Sequence, residues 1–330
     1  LRYQAHTEAG KNFFINGGFD IWQRGTSSLA FQNAAYTADR WQATAQGGST
    51  GVVSRQVTGD TTNLPSIQYC ARVQRNSGQT NLNNISFIQS LETVNSIPLA
   101  GKTVVLSFYA RAGANFSAAS STLKVDLISG TGTDQNWSAF AYTGSAYPIS
   151  STGTLTTTWQ RFTFTGTVAA TATEISTQIY YTPTGTAGAN DYFEVTGVQL
   201  ELGSAASNFS RTGGTIQGEL AACQRYYQRI TGTASNTAYI CSGVAISTTR
   251  VFLNYASPVT MRTAPSIAQS SALLGNGVIS NQNITTIAYY SSGSLQQISI
   301  DANVGSGLTT SGIFVLALPQ NAYVELSAEL

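Results

Sequence analysis

From Asn12 to about Arg211 the chain is written in short runs of alternating apolar and polar residues, each closed by a cluster of Gly, Ser, Thr or Asn. A period of two puts one set of side chains on a core face and the other set on the opposite face of a strand. Val104–Arg111, Leu123–Ile128, Trp159–Val168, Glu174–Tyr181 and Tyr192–Leu202 keep that period, and Gly130–Asp134 and Pro183–Asn190 read as loops between them. Many short strands at such spacing predict a β-sandwich or barrel. A parallel α/β fold would need helices of about 10–15 residues between strands, and this stretch has none of that period.

Composition points the same way. Charged residues make up 9% of the chain, against roughly 25% in a typical soluble protein. The polar surface must therefore come from Thr, Ser, Asn, Gln and Gly, and β-branched Thr suits a pleated surface. The 330 residues are enough for two domains, each with its own core. Sixteen basic and 15 acidic residues leave a formal net charge of +1. That balance gives no broad pull towards phosphate polymers or anionic lipid, so neither nucleic-acid binding nor membrane insertion is expected. No apolar run reaches the length of about 18 residues that a membrane-spanning helix needs, and no signal-peptide pattern opens the sequence. The start at Leu1 reads as a processed product or a fragment of something longer. Three cysteines, Cys70, Cys223 and Cys241, are an odd number. They read as buried thiols of a protein folded in a reducing cytosol, with a Cys223–Cys241 bridge as the alternative.

Four segments follow. Residues 1–11 are a polar connector holding His6, the only histidine, which reads as surface filler. Residues 12–213 form the all-β domain. Thr215–Ile230 is the clearest helix: Ile216, Leu220, Cys223, Tyr227 and Ile230 make one apolar stripe that also fits a coiled-coil seam. This predicts a helical neck over 214–230. Residues 231–330 return to short β-like segments at Ala238–Ile246, Arg250–Asn254, Ile284–Tyr290, Leu295–Ile300, Ile313–Leu318 and Ala322–Leu326, a smaller second β-domain.

Little in the sequence supports catalysis, and no enzyme activity is expected. A Ser-His-Asp or Cys-His arrangement needs a histidine beside the nucleophile, and His6 sits in the connector. There is no Gly-x-Ser-x-Gly elbow, Walker loop or zinc-spaced His/Cys cluster. The remaining enzymatic option is a carboxylate pair of the glycosidase kind, for which Asp126, Asp134, Glu174, Asp191, Glu194 and Glu201 are candidates. Aromatic residues say more. Trp and Tyr faces stack on the C–H faces of sugar rings, and the Gly130–Ser150 stretch holds Trp137, Phe140, Tyr142 and Tyr147 among Asn, Ser and Gly. Two readings stand for these rings: glycan contact from an exposed loop, or packing against the sandwich core. Trp22, Trp41 and Trp159 read as core or edge packing. In Tyr289-Tyr290, one ring must face outward if the strand is regular, and Tyr290 joins the glycan-binding candidates.

Several phrases are more specific than composition. Asn12–Arg24 (NFFINGGFDIWQR) and Tyr36–Trp41 (YTADRW) resemble the start of carbohydrate-binding-module-like jelly-roll domains of bacteriophage tail fibres. Val198–Ser210 (VQLELGSAASNFS) and Ala221–Tyr227 (AACQRYY) resemble the phrases that close that domain. Phe108–Arg111 and Trp159–Gly166 are similar to strands between those ends, and Thr260–Pro265 resembles the β-domain that often follows. The resemblance implies a jelly-roll β-sandwich, a short helical neck, a smaller C-terminal β-domain and a homotrimer. It also implies other virion tail proteins as partners through the N-terminal side, and attachment to host surface polysaccharide. The chain would be made in the host cytoplasm and end in the virion as part of the tail fibre. Related jelly rolls hold a structural calcium, a cation that takes oxygen ligands. The matching positions are Asn16, Asp20 and Glu201, with Asp191 as a further one. The enzymatic counterpart would be a glycan-degrading tail depolymerase using a carboxylate pair.

Overall fold

The computed structural model describes residues 11–27, 29–30, 34–233, 237–275, 282–290 and 294–330. His6 and nearly all of the 1–11 connector lie outside the described residues, as does the turn after Tyr290. The chain divides into two units, one ending at Ala222 and one covering Cys223–Glu329.

In chain order the first unit runs β1 (Leu29–Ala30), β2 (Ala35–Tyr36), β3 (Gln42–Ala45), β4 (Gly51–Val57), β5 (Tyr69–Arg75), β6 (Ile85–Ser90), α1 (Thr93–Ser96), β7 (Thr103–Ala112), β8 (Thr122–Gly130), β9 (Ala146–Thr154), β10 (Gln160–Thr167), β11 (Glu174–Tyr181) and β12 (Tyr192–Leu202), followed by α2 (Ile216–Gln224). The strands form two six-stranded antiparallel sheets, β1-β4-β5-β12-β7-β10 and β2-β3-β6-β11-β8-β9. This is an all-β jelly-roll sandwich. Alternation explains it: in β8, Leu123, Val125 and Leu127 turn into the core while Lys124, Asp126 and Ile128 turn outward. The core is tightest around Phe14, Phe19, Trp41 and Phe87, where Trp41 and Phe87 stack with ring centroids 5.0 Å apart. Truncating any of these buried rings to Ala costs about 3–5 kcal/mol on general grounds. Trp22 belongs to the same core. Trp159 instead packs with Leu64, Ile67 and Phe209 on the outer side of the first sheet.

The phrase Asn12–Trp22 is a structural knot that ties the sandwich together. Asn12 accepts from the Phe14 and Leu200 amides with Oδ1 and donates to the Val198 carbonyl with Nδ2, at 3.0–3.1 Å. The amide of Gln89 closes both backbone groups of Ile15, at 2.8 and 2.7 Å. Gly17 is required because a Cβ there would sit 2.0 Å from the Val198 carbonyl oxygen. Glu219 of α2 completes the knot, its carboxylate accepting from the Asn16 and Gly213 amides.

Helix α2 is shorter than its apolar stripe predicts. It stops at Gln224, and Tyr227–Thr231 is a strand, β13, the first of the second unit. Consecutive aromatic and β-branched residues there favour a strand, and pairing with a distant partner satisfies their backbone. Nine helical residues are too few for a coiled coil, which takes three to four heptads. The 214–230 neck is thus helical only over 216–224.

The second unit continues with β14 (Ala238–Ala245), β15 (Arg250–Ala256), β16 (Ser266–Gln269), β17 (Leu273–Gly275), β18 (Gln282–Tyr289), β19 (Gln297–Val304), β20 (Ile313–Leu318) and β21 (Tyr323–Ser327). Strands β14-β15-β19-β18-β17-β20 close a barrel, and β13-β21-β16 form a three-stranded sheet. Val251, Leu253, Ile298, Ile300, Phe314 and Leu316 fill its core from alternating positions. All three cysteines are free thiols; Cys70 and Cys223 are buried and Cys241 is half-buried.

Candidate functional site

The second sheet carries an unusual outer face. Strand register lines up Ile88, Ser86 and Ser90 of β6, Ser176, Gln178 and Tyr180 of β11, and Ile128, Asp126 and Lys124 of β8. The segment after β8 folds back across this face. Asn136 caps a short turn by accepting from the Ser138 amide at 2.9 Å, and Phe140 ends the turn at φ +54°. The turn packs Trp137 with Ile88, Ile128 and Tyr142 in a buried cluster separate from the sandwich core. Neither sequence reading of these rings is met in full: they pack, but on the outside of a sheet.

Polar contacts fix the indole. The Trp137 backbone amide donates to Ser90 Oγ at 3.0 Å, and its Nε1 donates to Gln178 Oε1 at 2.8 Å. Gln178 in turn donates to Ser86 Oγ at 2.8 Å. Gly130 makes room, since a Cβ there would lie 2.7 Å from Tyr142 Cβ. Tyr142 and Tyr147 meet the indole edge-on, with centroids 5.2 and 6.1 Å away. Edge-to-face pairs of this kind contribute about 0.5–1.5 kcal/mol beyond area burial. Tyr142 is buried, and burial pushes its phenol pKa up. Tyr147 is 52% exposed, so its ring is held on one side and open on the other.

Beyond the aromatic end the face turns polar. Tyr180 is half-buried, and its phenol is pushed up to about 12, first by burial and then by the charge of Asp126. Asp126 is 6% exposed, and its Oδ1 is buried without a hydrogen-bond partner. Lys124 Nζ lies 5.6 Å from the Tyr180 ring centroid and donates to Thr182 Oγ1 at 3.4 Å. There it borders a hollow of about 280 Å³ lined by Ala118, Ala119, Thr122, Lys124, Thr182 and Thr184. The structure thus brings Trp137, Tyr142 and Tyr147 together on one sheet face and adds Gln178, Tyr180, Asp126 and Lys124. Outward alternation in β8 and β11 was the signal for the added four, but the sequence does not say which loop covers which face. Tyr290 belongs to the second unit, half-buried on the barrel, 4.4 Å from the Phe252 ring and 6.0 Å from the Arg250 guanidinium.

The calcium positions are committed to protein partners. Asn16 Oδ1 accepts from the Ile21 amide at 3.0 Å, and its Nδ2 donates to the Ile21 and Asp39 carbonyls. Asp20 pairs with Arg211 at 2.7 Å. Glu201 pairs with Lys11 at 3.2 Å and accepts from Gln199 and Ser207. Burial raises the Glu201 pKa, but these hydrogen bonds outweigh it and hold the carboxyl below its ordinary value. Asp191 pairs with Arg75, both side chains fully buried. Among the described residues no three His, Cys, Asp or Glu side chains gather as a metal site. This set does not fit a calcium shell.

Of the remaining candidate acids, Glu194 is fully buried between Arg72 and Arg111. Glu174 and Asp134 share Thr93: Glu174 Oε1 accepts from its hydroxyl at 2.7 Å and Asp134 Oδ1 from its amide at 2.9 Å. Glu174 is fully buried, and burial raises its pKa.

No protein-family model matches the chain, and no curated protein does. Among solved structures the chain is similar to a CBM4 structure, at 20% identity over 57% of this chain and 98% of that one, with a TM-score of 0.35. It is also similar to the enzymatically active domain of tailspike protein 4 of bacteriophage CBA120, at 15% identity over 58% of this chain, with a TM-score of 0.37. That match spans about a fifth of the tailspike chain (21%). A third is TmCBM61 in complex with β-1,4-galactotriose, at 14% identity over 59% of this chain and 99% of that one, with a TM-score of 0.33.

Proposed function

We propose that the first unit binds glycan on the outer face of its second sheet. The observation that carries this is Tyr147, 52% exposed and braced edge-on by a buried Trp137, at the head of a row of polar side chains. An aromatic face beside hydrogen-bonding groups is the surface a sugar ring takes: apolar contact from above, hydroxyl recognition from the side. We further propose that the chain is a structural and receptor-binding part of a bacteriophage tail fibre, attaching the virion to host surface polysaccharide without turnover. The phrases Asn12–Arg24 and Ala221–Tyr227 support that reading, and a homotrimer goes with it.

Two experiments test this. On an array of bacterial surface polysaccharides, the full chain should be retained, and Tyr147→Ala should lose most of that binding while its melting temperature stays within a degree or two. Retention unchanged in the variant would remove the sheet face as the site. Light scattering should give a mass three times the 34.8 kDa of the chain, and a monomer at micromolar concentration would count against the fibre assembly.

A further inference from the structure

We infer that the outward face of β15, β19 and β18 on the barrel is a second glycan-binding site, taking neutral hexopyranose units that offer vicinal hydroxyls. It extends the glycan reading to the second unit and makes no use of Tyr147. The core fixes which side chains face out. Val251, Leu253, Ile298, Ile300 and Ala302 fill the barrel, so alternation turns the residues between them to the outer surface. Register sets those residues in rows: Arg250 beside Asn303, Phe252 beside Asp301, and Asn254 beside Ser299. Across the other edge of β19, Ala288 faces Asp301, and the Tyr290 amide donates to the Ser299 carbonyl at 2.8 Å. The middle of the face holds short side chains, so rings from two strands that are not neighbours meet over it. Phe252 and Tyr290 do so, with centroids 4.4 Å apart.

Open hydrogen-bonding groups surround this ring pair. Arg250 lies 4.8 Å from the Phe252 ring centroid and forks onto Asp301, Nε to Oδ1 at 2.9 Å and Nη2 to Oδ2 at 2.6 Å. The fork cancels both charges and leaves Nη1 free to donate. Among the described residues, Arg250 Nη1, the Tyr290 hydroxyl, Asn254 Nδ2 and the Asn303 side-chain amide make no hydrogen bond within the protein, and none of them is buried. The Arg250 and Asp301 side chains are 39% and 16% exposed. Water satisfies such groups, and a ligand's hydroxyls can take its place. A hydroxyl both donates and accepts. Vicinal hydroxyls can therefore accept from Arg250 and donate to Asp301 while the C–H face of the sugar lies against the exposed part of Tyr290. Charge selects a neutral ligand. Between Arg229 and Glu325 the only charged residues are Arg250, Arg262 and Asp301, and Arg262 is turned to the Ala328 and Glu329 carbonyls. No unpaired cation is left on the barrel for an anionic sugar.

The test isolates the barrel site by working in the full-length Tyr147→Ala variant, on an array of dextran, mannan, galactan and polygalacturonate. Tyr147→Ala should keep a residual retention on at least one neutral polymer, unchanged between low and high salt. Adding Tyr290→Ala should weaken that residue by about ten- to a hundredfold, the range of one lost side-chain contact. Adding Tyr290→Phe instead, which keeps the stack on Phe252 and removes only the hydroxyl, should weaken it by about two- to tenfold with no fall in melting temperature. A Tyr147→Ala variant retained on nothing, or one whose residual retention survives Tyr290→Ala, overturns the barrel site and leaves the first-sheet reading standing. Residual retention on polygalacturonate alone, lost as salt rises, overturns the neutral class of ligand. Conversely, wild-type retention that Tyr147→Ala leaves whole and Tyr290→Ala abolishes supports the barrel site and overturns the first-sheet reading. No retention of wild type on any polymer overturns both.

Discussion

Replacing Asp191 by Ala should strongly destabilise the jelly roll, because it breaks a fully buried ion pair. Asp191 and Arg75 are 116 residues apart in sequence and both side chains are fully buried, with Nη1 and Oδ2 2.8 Å apart. The carboxylate also accepts from the Ser117 amide at 3.0 Å, the Ser117 hydroxyl at 2.7 Å and the Tyr181 phenol at 3.4 Å. Arg75 reaches on to the carbonyls of Gln79 and Asn81, at 2.8 and 2.9 Å. One ion pair thus fastens the segments around residues 79–81 and 117 to the start of β12. Removing the acid leaves a buried guanidinium charge without its counter-ion, at a cost of about 3–5 kcal/mol. For a unit of this size each kcal/mol moves the melting temperature by about 2–4 °C, so the loss should be about 6–20 °C. Calorimetry of wild type and variant measures it directly. The companion Arg75→Met/Asp191→Leu, which removes both charges and fills the space with apolar atoms, should recover much of the loss. A single-variant loss below about 1 kcal/mol, or a double variant as unstable as the single, would refute the claim that the pair is desolvated and mutually dependent.

Three further outcomes are expected. Glu194→Ala strands Arg72 and Arg111 and should cost towards the lower end of about 3–5 kcal/mol, because those arginines are 25% and 26% exposed and partly solvated; urea unfolding measures it. Glu201 and Glu219 should respond to pH with opposite signs. Glu201 titrates below its unfolded value, so its stabilisation is present above the unfolded carboxylate pKa and is lost as pH falls through the folded one. Burial raises Glu219, so its contribution is full below the unfolded pKa and is lost as pH rises through the folded one. From pH 7 to pH 3, wild type should therefore lose its lead over Glu201→Gln and gain on Glu219→Gln in urea midpoints. Finally, Cys70 and Cys223 are buried, and burial pushes the half-buried Cys241 thiol up to about 12. A thiol-specific disulfide reagent at pH 8 should thus react slowly with the folded chain and with all three cysteines in denaturant.

Alternating strands were legible, some residue for residue and others, such as Val104–Arg111, Leu123–Ile128 and Trp159–Val168, to within one or two residues at their ends. Glu174–Tyr181, Tyr192–Leu202 and Ile313–Leu318 begin and end where their pattern does. Strands missed in the sequence have physical reasons. Ile85–Ser90 is buried on both faces, so it does not alternate. Tyr69–Arg75 carries two arginines whose acids, Asp191 and Glu194, stand 116 and 122 residues away, and no local reading can pair them. Ala146–Thr154 contains Pro148, tolerated because β9 is an edge strand. The site was half legible. Trp137, Tyr142 and Tyr147 could be singled out by residue type, but their placement on an outer sheet face depends on Ser90 and Gln178, 47 and 41 residues from Trp137. In the Asn12–Asp20 phrase, the side chains read as ligands are engaged within the protein: Asn16 holds the backbone of Ile21 and Asp39, and Asp20 pairs with Arg211.

The most direct test of the glycan site is a crystal structure of the full chain soaked with the oligosaccharide it retains best on an array. A sugar ring should lie against the exposed Tyr147 ring, on the outer face of the second sheet. A sugar bound only on the barrel of the second unit, or on the first sheet beside Trp159, would contradict it.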